Sequence, residues 1–132
     1  MASLDKTLET FRSYVATVER TNKELKSSPT QGTAEAVCLK CRQTVEYYAI
    51  HRQYLEGESA SCVRELIEQL ELAYRLLSVD FKDSFEGNET VRKYIQNIKL
   101  RIDVVNALIG NDTQQFLDIV NQELALFLPS AA

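Results

Sequence analysis

The residues of this chain best suited to chemistry are three cysteines and a single histidine. Cys38-Leu39-Lys40-Cys41 is a C-x-x-C pair. In redox proteins such a pair sits between a strand and a helix N-terminus, where the helix dipole lowers one thiol pKa. Here no strand precedes it, and both cysteines fall on the apolar stripe of a helical segment. Core packing is the expected role, since free cysteine is among the most buried residue types. A structural zinc site needs four ligands converging on one point. Cys38 and Cys41 are one helical turn apart, but His51 is about 15 Å further along the same helix at 1.5 Å per residue. Cys62 belongs to the next segment and leaves the set incomplete. No metal and no cofactor are expected.

His51 invites a second test, because histidine-phosphotransfer domains are four-helix bundles with an exposed histidine. Such domains resemble H-x-x-K-G-S just after the reactive residue. The run here is His51-Arg52-Gln53-Tyr54-Leu55-Glu56-Gly57-Glu58-Ser59. It lacks the lysine, places its glycine two residues late, and puts Glu56 and Glu58 where they repel phosphate. A surface histidine is the plainer reading, and phosphotransfer through His51 stands as the alternative. There is no G-x-S-x-G, no glycine-rich phosphate loop and no H-E-x-x-H. Carboxylate pairs such as Glu65 and Glu68 lie on a polar face, and a di-iron bundle needs a second histidine. No enzymatic activity is expected. Asn88-Glu89-Thr90 and Asn111-Asp112-Thr113 match the glycosylation sequon, but both stand at helix starts, where Asn, Asp and Thr serve as caps.

The elements that must carry these residues are helices. The 132 residues include four glycines and two prolines, far short of what turns every ~8–12 residues in a β-sandwich demand. Five segments carry apolar residues at the 4-3 spacing that only a helix gathers on one face. They cover approximately residues 3–27, 34–56, 59–79, 89–109 and 112–128. In the first, Leu4, Leu8, Phe11, Val15, Val18 and Leu25 form the stripe, with Asn22 filling one seam position. Arg52 interrupts the second in the same way. Polar seam residues can fix register, but both lie near helix ends, where meeting water is the simpler expectation. Phe81 and Phe85 flank the connection before the fourth helix and are placed to plug one end of the core. Gly57 and Gly110 are expected at helix C-termini, and Gly32 and Gly87 just before starts capped by Thr33 and Asn88. Connections of two to about ten residues favour antiparallel neighbours. The expected fold is therefore all-α: a single-domain antiparallel helical bundle, residues 1–132, of four longer helices and one shorter C-terminal helix.

The net charge is −4, with 26% charged and 45% hydrophobic residues. The strongest positive surplus is +2 over residues 87–111, where Arg92, Lys93, Lys99 and Arg101 face Glu89 and Asp103. That is too little for a phosphate-tracking stripe, so no nucleic-acid partner is expected. No run of 18 apolar residues suggests a membrane span. The start Met1-Ala2-Ser3-Leu4-Asp5-Lys6 lacks the apolar core of a secretory signal, and reduced thiols in the cytoplasm follow as the expectation.

What the stripes leave over is apolar surface. The second segment carries a further row, Leu39, Tyr47, Ile50 and Tyr54, beside its main stripe. Tyrosine combines contact area with a hydrogen-bonding tip and is enriched at interfaces. This face is the candidate partner-binding site. The expected function is a non-enzymatic interaction module, an adaptor, regulator or complex subunit, engaging a protein partner or a second copy as a homodimer. Besides phosphotransfer, a small-ligand-binding bundle is the remaining alternative, which requires an enclosed pocket of roughly 300 Å³ or more.

Overall fold

A computed structural model describes residues 2–55, 60–110, 118, 119, 121 and 122, with side chains described over 6–52 and from 60 onward in those stretches. All regular structure among the described residues is helical: α1 (Ala2–Ser27), α2 (Gln31–Leu55), α3 (Ala60–Arg75) and α4 (Glu89–Ile109). A π-helical turn at Leu76–Asp80 and a 3-10 turn at Asp83–Phe85 link α3 to α4. The count of four longer helices and one shorter is met only in part. The third helix ends its α-helical course at Arg75, and most of the fifth segment, 112–128, lies outside the described residues. Residues 118, 119, 121 and 122 of that segment are helical, and Ile119 is buried.

The stripes account for the packing. Phe11, Val15, Val18 and Leu25 of α1 meet Ala34, Val37, Cys41, Val45 and Tyr48 of α2 in one hydrophobic cluster. Leu66, Leu70 and Ala73 of α3 and Val91, Ile98 and Val105 of α4 complete it. Asn22 also belongs to this interior, at 1% exposure, so the expectation that it meets water is overturned. Its Nδ2 donates to the backbone carbonyl and the side-chain Oε1 of Gln69 on α3, at 3.0 and 2.9 Å. Seam position and depth together force the amide to find partners inside, because an unpaired buried amide costs about 1–3 kcal/mol. Its Oδ1 is left without one. The ion pairs, by contrast, join exposed groups, for example Lys23 to Glu19 and Lys99 to Asp103, and add little each.

Hydrogen bonds across the helix pairs set the topology. Thr44 donates to the carbonyl of Tyr14 and Tyr47 to that of Thr7, so α1 and α2 are antiparallel. Asn88 donates to Gln31, Cys38 to Asn97 and Arg52 to the carbonyl of Leu108, so α2 and α4 run parallel. Asn22 meets Gln69, and Arg12 lies near Cys62, so α1 and α3 are parallel too. The principal neighbours are α1 with α2, α2 with α4, α4 with α3, and α3 with α1. Two helical hairpins thus lie side by side, with α2 diagonal to α3. This corrects the expectation of antiparallel neighbours throughout. A short connection fixes the direction of the next helix, but not the corner it occupies.

Local chemistry explains the helix limits. α2 begins at Gln31, three residues before its expected start, because Thr30 and not Thr33 is its cap. Thr30 Oγ1 accepts from the Thr33 amide at 3.1 Å, and Thr33 Oγ1 accepts from the Thr30 amide at 2.9 Å, a reciprocal capping box. Gly32 therefore sits within the first turn. Asn88 caps α4 as expected, accepting from the Val91 amide at 3.1 Å. Gly110 follows α4 with φ −79°, an ordinary right-handed conformation, so its freedom is not used there. At the end of α3 the Phe81 amide reaches back five residues to Leu76 O at 2.8 Å. The widened turn buries Leu76 and Leu77 together and leaves Val79 exposed. Phe85 then closes that end of the core, as its position suggested.

Two substitutions test this account. Asn22→Leu removes a buried group with an unpaired oxygen and is expected to raise stability in urea unfolding by about 1 kcal/mol. A loss of that size instead shows the Gln69 bonds to outweigh the orphaned oxygen. Gly87 holds φ +78° with nothing within 4 Å of an added Cβ. Gly87→Ala is accordingly expected to cost about 1 kcal/mol through backbone strain alone. An unchanged unfolding midpoint contradicts this.

Candidate functional site

α2 has more apolar circumference than its neighbours in the bundle can cover. Its 25 residues spread apolar side chains around most of the axis, in contrast to the strongly one-sided α3. One side, Ala34, Val37, Cys41, Val45 and Tyr48, is buried against α1 and the core. A second, with Cys38 and Arg52, faces α4. The third faces outward and carries Leu39 at 46% and Ile50 at 71% exposure.

The four residues expected to form one partner face are therefore divided. Leu39 and Ile50 are exposed on the outer face. Tyr47 turns toward α1, half-buried. It packs against Tyr14 with ring centroids 5.1 Å apart and against His51 at 4.1 Å, and lies stacked 6.5 Å from Phe11. Its hydroxyl donates to Thr7 O at 3.3 Å, so its polar tip is already engaged within the chain. The side chain of Tyr54 lies outside the described residues. Between Leu39 and Ile50 stand Arg42 and Glu46, ion-paired at 3.1 Å. Neither was among the residues expected at the partner-binding face. Their signal was their place at three- and four-residue steps between two apolar residues.

Two clefts adjoin α4. One, of about 270 Å³, lies between α2 and α4 and is lined by Leu39, Arg42, Lys93, Tyr94 and Asn97. The other, of about 390 Å³, lies at the junction of the π-turn and α4, over Leu77, Phe85, Val91 and Ile95, with Lys82 and Arg92 at its rim. Both open to solvent. Small-ligand sites bury 70–90% of a drug-sized ligand, which calls for a more enclosed space.

The thiols are buried and held protonated. Cys38 Sγ donates weakly to Asn97 Oδ1 at 3.7 Å, beside the carbonyl of Tyr94 at 4.0 Å. Burial pushes its thiol up to about 11, against the opposing pull of Arg101 and Arg42. Burial, reinforced by Cys38 next to it, raises Cys41 as well. Cys62 is raised for the same first reason, burial. A thiolate is the nucleophile and the metal ligand, so these environments favour the inert form. Among the described residues no group of three or more His, Cys, Asp or Glu side chains is placed to hold a metal ion. Asn97 and Arg101 are buried on α4 at this same seam. Their spacing to Val104 and Leu108 is 4-3-4, a stripe position that their polarity concealed in the sequence.

His51 is half-buried, its ring on Tyr47. Its Nδ1 lies 3.0 Å from Tyr47 O, and since a carbonyl only accepts, Nδ1 carries the proton. Arg52 donates to Leu108 O at 3.1 Å, placing a cation at the C-terminal end of α4 where the helix dipole favours it. It ties two helices together and does not simply meet water.

Among the described residues no helix is long and apolar enough to cross a membrane. Comparison with protein-family models, with curated proteins and with solved structures finds no match.

The thiol environment makes a pH-dependent prediction. A group harder to ionise in the folded than in the unfolded chain contributes fully below its unfolded pKa. That contribution is lost as pH rises from the ordinary 9.0 toward about 11. Urea-unfolding stability is expected to fall across this window, and Cys38→Ala/Cys41→Ala to flatten the fall. An equal slope in both proteins removes the thiols as its cause.

Proposed function

We propose that this chain is a non-enzymatic protein–protein interaction module of the helical-bundle class, an adaptor, regulator or complex subunit acting in the cytoplasm. Its contact surface is the outer face of α2. The observation that carries the reading is the exposure of Leu39 and Ile50 on a helix whose other sides already pack against α1 and α4. Apolar residues exposed singly are common on any protein. Here two lie on one face of α2, about 17 Å apart along the helix, with the Arg42–Glu46 ion pair between them. Cys38 and Cys41 are held protonated by burial, while His51 stacks half-buried on Tyr47 with its Nδ1 proton directed to Tyr47 O. The thiol environments fit a binding role better than thiol catalysis.

Tyr47 belongs to this surface only as support. Its ring packs between α2 and α1 against Phe11 and Tyr14.

A photo-crosslinking amino acid at position 50, in the full chain and in the native host, tests the reading. The expected product is a covalent adduct with a polypeptide, either another protein or a second copy. The same group at Lys99, exposed on α4, is expected to give none. Absence of any polypeptide adduct at both 39 and 50 overturns the proposal.

A further inference from the structure

The outer face of α2, read backwards, is the charge complement of itself. Leu39, Arg42, Glu46 and Ile50 follow one another at steps of three, four and four residues, which places them within one sector of about 80° on a helix. The order is apolar, basic, acidic, apolar. Reversed, it is apolar, acidic, basic, apolar, the charge complement of the first. The level midway between Leu39 and Ile50 falls between Thr44 and Val45. Arg42 and Glu46 are placed about that level to within one residue.

We propose that the occupant of this face is a second copy of the chain, docked through an antiparallel α2–α2 contact about a two-fold axis. The idea rests on the reading of this face as a contact surface and specifies what covers it. An axis running between the two α2 helices, at the level between Thr44 and Val45, sets Leu39 against the partner's Ile50 and Ile50 against the partner's Leu39. The same operation brings Arg42 to the partner's Glu46 and Glu46 to the partner's Arg42. Within one copy Arg42 and Glu46 are paired at 3.1 Å. The dimer joins two such pairs into a ring of alternating charge. A parallel contact does the opposite, setting Arg42 against the partner's Arg42, and like charges in contact disfavour it. The arrangement is isologous, as closed two-fold dimers require.

Magnitudes set the character of the association. From residue 39 to residue 50 the contact spans about 17 Å of helix, three turns. With two apolar anchors per copy it falls at the small end of specific interfaces, and a dissociation constant on the order of 10 µM is expected. The exposed ion pair adds little to the monomer. Across the interface it sets orientation and register, since complementary charges act chiefly on specificity.

Charge exchange tests the contact without touching the core. Sedimentation equilibrium of the full chain from about 1 to about 300 µM is expected to show a reversible dimer. R42E places two negative charges on each copy, and E46R two positive charges. Each variant alone is expected to dimerise at least about tenfold more weakly. An equimolar mixture of the two is expected to form a heterodimer, and the double variant R42E/E46R to dimerise like the parent chain. Circular dichroism confirms that each remains folded. A parent chain monomeric throughout, a mixture no more associated than its components, or single variants that dimerise normally each overturn the proposal. If the chain is monomeric but position 50 crosslinks to a different polypeptide, the second copy is excluded while the contact surface stands. If position 50 crosslinks to nothing and no dimer forms, both readings fall.

Discussion

α2 must divide one circumference among three claims. A helix of ordinary width offers each neighbour roughly a third of its surface, and α2 has α1 on one side, α4 on another and solvent on the third. The division decides what each residue type is for. Small side chains fill buried positions at Ala34, Cys38 and Cys41. Tyr47 and Tyr48 face α1, stacking on Phe11. What remains faces outward, and there two apolar residues flank a pair of opposite charges. The exposed character of Leu39 and Ile50 follows from the same geometry that buries Cys38 and Tyr48.

The seam between α2 and α4 shows how polarity is accommodated inside such a bundle. Cys38, Asn97 and Arg101 are all buried where these two parallel helices meet. Asn97 gives the thiol a partner, and Arg101 lies near enough to bias both Cys38 and Cys41. At the far end of the seam Arg52 reaches the last turn of α4, and at the near end Asn88 reaches Gln31. The contact between these helices is therefore specified by hydrogen bonds at both ends and at its middle. Purely apolar seams tolerate sliding, and polar groups with one good partner do not.

Much of this was legible in the residues. α4 was readable from end to end, because Asn88 is a strong cap and because six apolar residues keep the 4-3 rhythm up to Ile109. The inward face of α1 was equally clear. The start of α2 was not, since Thr30 and Thr33 are both good caps and only their mutual hydrogen bonds decide between them. The π-turn was invisible for a similar reason: Leu72, Leu76 and Val79 continue a helical pattern even though the backbone widens after Arg75. On α2, sequence grouped Tyr47 with Leu39 and Ile50, whereas Leu39 and Ile50 are exposed and Tyr47 packs against α1. Periodicity says which residues share a face. It does not say which faces find partners within the fold, and for Tyr47 the answer depends on Phe11, Tyr14 and the carbonyl of Thr7, thirty to forty residues away.

The two hairpins are laid side by side in the same sense, and no two-fold axis exchanges them. A two-fold axis along the bundle exchanges diagonal helices and preserves their direction, but the diagonal pairs here, α1 with α4 and α2 with α3, point in opposite directions. An axis across the bundle reverses direction, and so cannot carry α1 onto its parallel neighbour α3. Each hairpin must therefore offer the other a face of opposite hand. A tandem copy of a hairpin with a single apolar side would turn that side outward here; a repeat laid this way needs apolar residues on both sides of each hairpin and polar faces at the two ends.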